Sequence, residues 1–164
     1  MTQNLSLVEA PAAAVTLADA KAFLHVWHDD DDDVIEHLIA AATDKLDGAG
    51  GMLGRCLAVQ TWLLSLDSFP AGSIKLPLPP FKAVSGIKYF DQNGDEQTLA
   101  TTNYKVSSAG VIAPVGSWPA TWEFPGAVSV EFEAGSDDVP ASLKQIILGL
   151  AFYWYENRGA GTQP

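Results

Sequence analysis

From Ile146 to Tyr155 the chain carries no charged side chain. This run sits inside a longer segment, residues 140–158, that reads as one helix. Val139-Pro140 is a start signal, because proline suits the first helical position, where no intrahelical donor is needed. Gly159 is a stop signal, and Arg158 is placed where a cation meets the negative end of the helix dipole. Leu143, Ile147, Leu150 and Trp154 form an apolar stripe at helical spacing, while Ile146, Leu148, Phe152 and Tyr155 cover much of the remaining surface. A helix this apolar all round needs more than one surface to bury against. The strands that precede it, with the two leading helices, can supply one cover. The other is open to a second chain.

At 164 residues the chain is expected to be one domain with a core of ordinary size. The expected boundaries are a flexible N-terminal arm over 1–15, a single domain over 16–158 and a C-terminal tail over 159–164. Cys56 is the only cysteine, which excludes an internal disulfide and reads as a small buried side chain. The first basic residue is Lys21, so no secretory signal is expected, and no apolar run reaches the ~18 residues that a membrane span needs. Net charge is −11, and the nine lysines and arginines are scattered rather than striped. Tight phosphate binding depends on such a stripe, so a conventional nucleic-acid-binding role is not expected.

Two helices lead the chain. Thr16 caps the first, with Asp19 reaching back in an approximate capping box, and Leu17, Ala20 and Leu24 share one face of a helix running to about Trp27. His28 and the five aspartates 29–33 form a solvated turn whose last members favour the positive end of the next helix. Ile35, Leu38, Ile39, Ala42 and Leu46 then repeat at helical spacing until the glycine-rich stretch 47–51. Strand patterns follow over 59–66, 74–76, 84–90, 96–99, 104–106, 111–112 and 128–133. Asn93-Gly94 is the strongest hairpin signal, as a two-residue turn with positive φ at both positions. In the last strand Val128, Val130 and Phe132 face inward, while Ser129, Glu131 and Glu133 face out. The fold class is α+β: two N-terminal helices, a mostly antiparallel β region with a hairpin, and a C-terminal apolar helix.

Catalytic, cofactor and metal signatures are weak. The aspartates 29–33 lack the alternation, glycine and final glutamate of a calcium loop, and Asp91-Gln-Asn-Gly-Asp95 fails the same test at its sixth and twelfth places. His25, His28 and His37 could hold zinc only if the first two helices brought them together. No nucleophile elbow or phosphate loop is present. The expectation is no catalytic residue, no cofactor and no metal.

Taken in order, several pieces resemble the head–tail connector, or adaptor, proteins of tailed phages, typified by the gp6-like and phiE125 gp8-like families. They are Thr16-Leu-Ala-Asp-Ala-Lys21, the acidic turn before Val34-Ile-Glu-His-Leu-Ile-Ala-Ala-Ala42, Gln60-Thr-Trp62 and Ile74-Lys-Leu-Pro-Leu-Pro-Pro80. Ile87-Lys-Tyr-Phe-Asp-Gln-Asn-Gly94, Trp118-Pro119, Val139-Pro140 and Trp154-Tyr-Glu-Asn-Arg158 complete the set. One departure is the stretch 47–54, where a more helical, charged continuation is expected. The resemblance implies a structural virion protein of a phage, prophage or gene transfer agent, made in the bacterial host cytoplasm and sited at the head–tail junction. It implies a ring of about twelve copies, an arrangement of identical contacts closing on itself. The implied partners are the portal and a tail-side stopper or tail terminator, with DNA passing through the channel unread and no membrane involved. Tyr155, Glu156, Asn157 and Arg158 are the implied partner contact; capping of a helix inside a monomer is the alternative for these four. Outside the resemblance, a small hydrolase, perhaps glycan-acting, and a monomeric binding module stay open.

Overall fold

The computed structural model describes residues 3–122 and 124–157. Among them the strands are β1 (Gln3–Glu9), β2 (Gln60–Leu66), β3 (Ile74–Lys75), β4 (Phe81–Phe90), β5 (Glu96–Thr98), β6 (Tyr104–Val106), β7 (Val111–Pro114) and β8 (Val128–Ala134). The helices are α1 (Leu17–Leu24), α2 (Asp32–Leu46) and α3 (Ala141–Glu156), with one 3₁₀ turn at Thr101–Asn103. The architecture is α+β, as the sequence indicates. Arg158 and the expected tail 159–164 lie outside the described residues.

A five-stranded antiparallel sheet in the order β1-β2-β8-β4-β5 packs one face against a three-stranded sheet, β3-β7-β6. Alternation decides which face. Along β2, Trp62, Leu64 and Leu66 are buried, and they pair with Phe132, Val130 and Val128 of β8. Val84, Ile87 and Tyr89 of β4 continue these rows on the far side. Opposed residues share a face, so each row delivers its side chains to one core. Ile112 of β7, paired with Ile74, closes that core from the second sheet. The intervening residues, Thr61–Glu133 and Leu63–Glu131 among the paired rows, point the other way.

The expected loose arm over 1–15 is a correction. Residues 3–9 form β1, paired with β2 in a register that sets Leu5 opposite Leu64 and Leu7 opposite Trp62. The outer edge of β2 would otherwise expose a row of unpaired backbone groups. Val15, further along the same segment, is buried among the helices.

The helices form a second core. Ala20, Ile35, Ala42, Ile147, Leu148 and Ala151 bury together with Leu57 and Val139. The main cover of α3 is therefore α2, with α1 beside it; of the strands and leading helices that the sequence offered together, the helices carry it. The two cores meet at consecutive residues: Cys56 belongs to the sheet core and Leu57 to the helical one. At this junction Gly135 has a φ of 115°, and a Cβ there would lie 2.0 Å from the carbonyl oxygen of Ala58. Only glycine lets β8 run past the chain entering β2 and turn into α3.

Several boundaries differ from the sequence pattern. Helix α1 stops at Leu24, not Trp27, because His25 takes a left-handed conformation at φ 57° and the Val26 amide donates back to Lys21. Pro140 is the N-cap of α3 rather than its first helical residue. At 47–51 the helix ends where the glycines indicate, after Leu46, and 47–54 forms a loop folded back on α2. There the amides of Met52 and Leu53 donate to the carbonyls of Lys45 and Leu46, satisfying terminal acceptors of the helix. In the β4–β5 hairpin only Gly94 has positive φ; Asn93 does not. The turn is held by Asp91, whose Oδ1 accepts from the amides of Asn93 and Asp95 at 2.8 and 3.2 Å.

Candidate partner interface

Helix α3 turns Ile147, Leu148 and Ala151 inward, with Leu143, Leu150, Trp154 and Tyr155 half-buried beside them. Its remaining face is open and apolar: Ile146 is 51% exposed, Phe152 41% and Tyr153 61%. Phe152 meets Phe23 of α1 edge to face, with ring centroids 6.1 Å apart. Trp27, just after α1, is 82% exposed. The sequence reading named Ile146 and Phe152 as extra apolar surface but passed over Tyr153. The spacing of Ile146 and Tyr153, seven residues and about two helical turns apart, is the signal that groups them.

The four contact residues expected at the end of α3 part company. The Tyr155 hydroxyl donates to Oδ2 of Asp31 at 2.5 Å, which ties the last turn of α3 to the α1–α2 connection. Glu156 and Asn157 are exposed, and the Asn157 amide donates to the Tyr153 carbonyl at 2.7 Å as a helix-end cap. Arg158 lies outside the described residues. So within this set Tyr155 is anchored to its own domain, while Glu156 and Asn157 face outward.

The acidic run before α2 is organised by one cation. Lys21 reaches Asp29 at 2.7 Å and Asp32 at 2.6 Å. The hydrogen bond that Lys21 donates to Asp29, then that to Asp32, raises the Lys21 pKa, and the contact with Asp29 lowers that of Asp29. Among the described residues no three His, Cys, Asp or Glu side chains gather as metal ligands. His37 Nδ1 is within hydrogen-bond reach of the Asp33 carbonyl, and His28 lies 3.8 Å from Asp30. Carboxylates with lowered pKa include Asp19, bonded by the Thr16 hydroxyl in a complete capping box, Asp29, and Asp91, bonded by Gln97 in the hairpin turn. These are the effects of a cap, an ion pair and a turn, in which the charged form is stabilised; a general acid needs the opposite shift.

A second apolar patch lies at the far end of the sheets. The strand register places Gln60 and Ala134 next to the helices and Leu66, Val128 and Tyr89 at the other end, about 20 Å away for seven extended residues. There Trp122 and Phe124 stack at 5.6 Å, both half-exposed, with the Trp122 amide donating to the Phe90 carbonyl. Phe69 and Trp118 stack at 4.7 Å nearby on the β-region loops, and the Trp118 indole donates to the Gly72 carbonyl. The molecule thus presents one apolar surface on its helical end and another on its β end.

A family model for head completion proteins matches residues 13–162. The chain belongs to the head completion protein family. Solved structures agree on the fold of this head completion protein. A chain in the neck of an empty gene transfer agent particle, computed with C6 symmetry, superposes with a TM-score of 0.78 at 22% identity, covering 98% of this chain and 87% of that one. A chain of the virion of a native gene transfer agent particle gives 0.78 at 21% identity, covering 98% and 88%. One from the neck of a native particle, computed with C12 symmetry, gives 0.67 at 21%, covering 97% and 87%. No curated protein sequence matches this head completion protein.

Proposed function

We propose that this head completion protein is a structural head–tail connector of a tailed phage, prophage or gene transfer agent. It joins the DNA-filled head to the tail by assembly rather than by catalysis. The observation that carries the reading is the open apolar face of α3, in a chain whose family completes heads and whose fold recurs in particle necks. Copies assemble as a ring of about twelve around the channel, since identical subunits with two complementary faces close by rotation. The neighbouring partners are the portal on the head side and a stopper or tail terminator on the tail side. The end of α3, through Glu156, Asn157 and Arg158 beyond the anchored Tyr155, faces the portal. The β end, with Trp122 and Phe124, faces the tail-side protein. With a net charge of −11, acidic side chains lining the bore repel the DNA backbone, so DNA slides without sequence-specific binding.

Cryo-electron microscopy of assembled particles tests this directly. The chain is expected as a ring at the portal–tail junction, with Asp and Glu facing the lumen; density for it anywhere else sinks the reading, and a neutral or basic bore removes the sliding argument. Truncation after Tyr155 keeps the contact to Asp31 and is expected to leave a folded domain that no longer joins heads to tails.

A further inference from the structure

The two packed sheets have two outer faces, and these differ in charge. None of the 20 acidic residues falls within 68–90 or 97–122. Those stretches hold all of the smaller sheet, β3, β6 and β7. Ile74, Tyr104 and Ile112 turn into the sheet core, so Lys75, Lys105, Val111 and Ala113, which alternate with them, turn outward. Both lysines are exposed, and among the described residues neither has an ion-pair partner. In a chain of net charge −11 this is a cationic sheet face. The outer face of the five-stranded sheet is the reverse. Glu131 and Glu133 of β8 point away from the core, opposite Leu63 and Thr61 of β2. Glu9 of β1 stands on the other side of Thr61, whose hydroxyl donates to it at 3.5 Å. Lys88 and Glu96 on the same face neutralise each other at 3.3 Å, and the other three carboxylates have no ion-pair partner among the described residues.

The faces also share a layout. On each, a central strand carries two uncharged side chains with charges at opposite corners. Across β7, Lys75 stands beside Val111 and Lys105 beside Ala113. Across β2, Glu9 stands beside Thr61 and Glu131 beside Leu63. In both cases the two charges are two strands and two residues apart, a separation of about 12 Å. Because the sheets pack on one core, these faces look in opposite directions. Pairing one with the other between copies is therefore head to tail, the kind of contact that generates a ring. It leaves the helical end and the β end of each copy free for other partners.

We propose that the Lys75–Lys105 face of one copy docks on the Glu9–Glu131 face of the next copy of this chain, and that this sheet-on-sheet contact closes the ring. The proposal rests on the ring assembly proposed above and names the surfaces that make it. Opposite charge sets the register of the contact, with Thr61 and Leu63 over Val111 and Ala113 at its centre.

Charge swapping in the full-length protein tests the pairing, read as the fraction of heads that carry tails and as rings in electron micrographs. Lys75→Glu with Lys105→Glu, and separately Glu9→Lys with Glu131→Lys, are each expected to lower tail joining by about tenfold or more, because like charges then meet across the contact. All four substitutions in one chain restore opposite charges and are expected to restore joining. Reversals that leave joining unchanged, or a loss that the fourfold variant does not recover, overturn the proposal. A lysine reversal that forms normal rings but slows DNA passage assigns that face to DNA and overturns it too. Circular dichroism checks that the variants fold. If they do not, carbodiimide treatment of unmodified particles decides, since it joins a lysine amine to a touching carboxylate with loss of water. Cross-linked peptides pairing Lys75 or Lys105 with Glu9, Glu131 or Glu133 are expected, and rings without them overturn the pairing while leaving the ring intact. If particles contain no ring of this chain, the ring assembly fails and the pairing with it.

Discussion

The side-chain amide of Gln60 donates to both carboxylate oxygens of Asp47, at 3.1 and 3.0 Å. Gln60 is 3% exposed, and its carbonyl accepts from the Trp62 indole at 3.1 Å. Asp47 Oδ1 also accepts from the amides of Gly48 and Leu57. One carboxylate thus ends α2, and one amide starts β2, at the seam between the two hydrophobic cores. Substituting Gln60→Leu strips Asp47 and Trp62 of their partner in a poorly solvated site. The expected cost is about 2–3 kcal/mol, from unsatisfied polar groups one of which is ionised. A lowered urea midpoint with an unchanged denaturant slope checks it.

Gly135 sits against the Ala58 carbonyl with no room for a methyl group. Gly135→Ala has both a steric clash with backbone and a φ that L residues rarely adopt, so a loss of roughly 3 kcal/mol or more is expected. Thermal unfolding is the measurement. Gly50, which has open space around it, is the control, and Gly50→Ala is expected to leave the midpoint nearly unchanged.

The Tyr155–Asp31 contact links residues 124 positions apart in the chain. Tyr155→Phe keeps the ring and removes the donor, with an expected loss of about 1–2 kcal/mol for a hydrogen bond to a charged acceptor. Amide hydrogen exchange is expected to speed up in the last turn of α3 while the exchange of β2 and β8 stays slow. Uniform acceleration throughout the chain argues against a local anchor.

The Asp91 carboxyl is held below its ordinary value of 3.8, first by the Gln97 amide and then by the backbone amides of Asp95 and Asn93. A folded pKa below the unfolded one adds stability that is fully present above the unfolded value and is lost as pH falls through the folded value. Gln97→Ala is expected to move the Asp91 titration back toward 3.8, followed by carbon-detected NMR of the carboxyl. No movement in that variant removes Gln97 as the main cause.

Burial, reinforced by the nearby Asp47 charge, pushes the Cys56 thiol up to about 11. A thiol so rarely ionised at neutral pH is a poor nucleophile. Native protein is expected to resist an aromatic disulfide reagent and to react fully once denatured. Fast labelling of the native state contradicts the buried placement.

Much of the fold was legible before any coordinates. Periodicity marked α2 and α3, and alternation gave β2 and β8 with the correct inward faces, because one-sided burial writes itself into spacing. Thr16 and Asp19 marked the start of α1 through a purely local bond. The missed strand was β1: Leu5 and Leu7 alternate, but Val8 and the following alanines blur so short a pattern. The site was less legible. Tyr155 and Tyr153 are two residues apart in an uncharged helix, and nothing local says that one is anchored by Asp31 while the other faces solvent.

The sequence by itself determined the elements other than β1, their class, the family resemblance and the surplus of apolar surface on the last helix, since all of these follow from local pattern and order. The tertiary structure decided what covers that surplus. It set α3 on α2 and α1 in a core of its own, left Ile146, Phe152 and Tyr153 uncovered, and drew Tyr155 inward. Which of several equally apolar side chains is buried depends on contacts between segments far apart in the chain, and spacing along one helix carries no record of its neighbours.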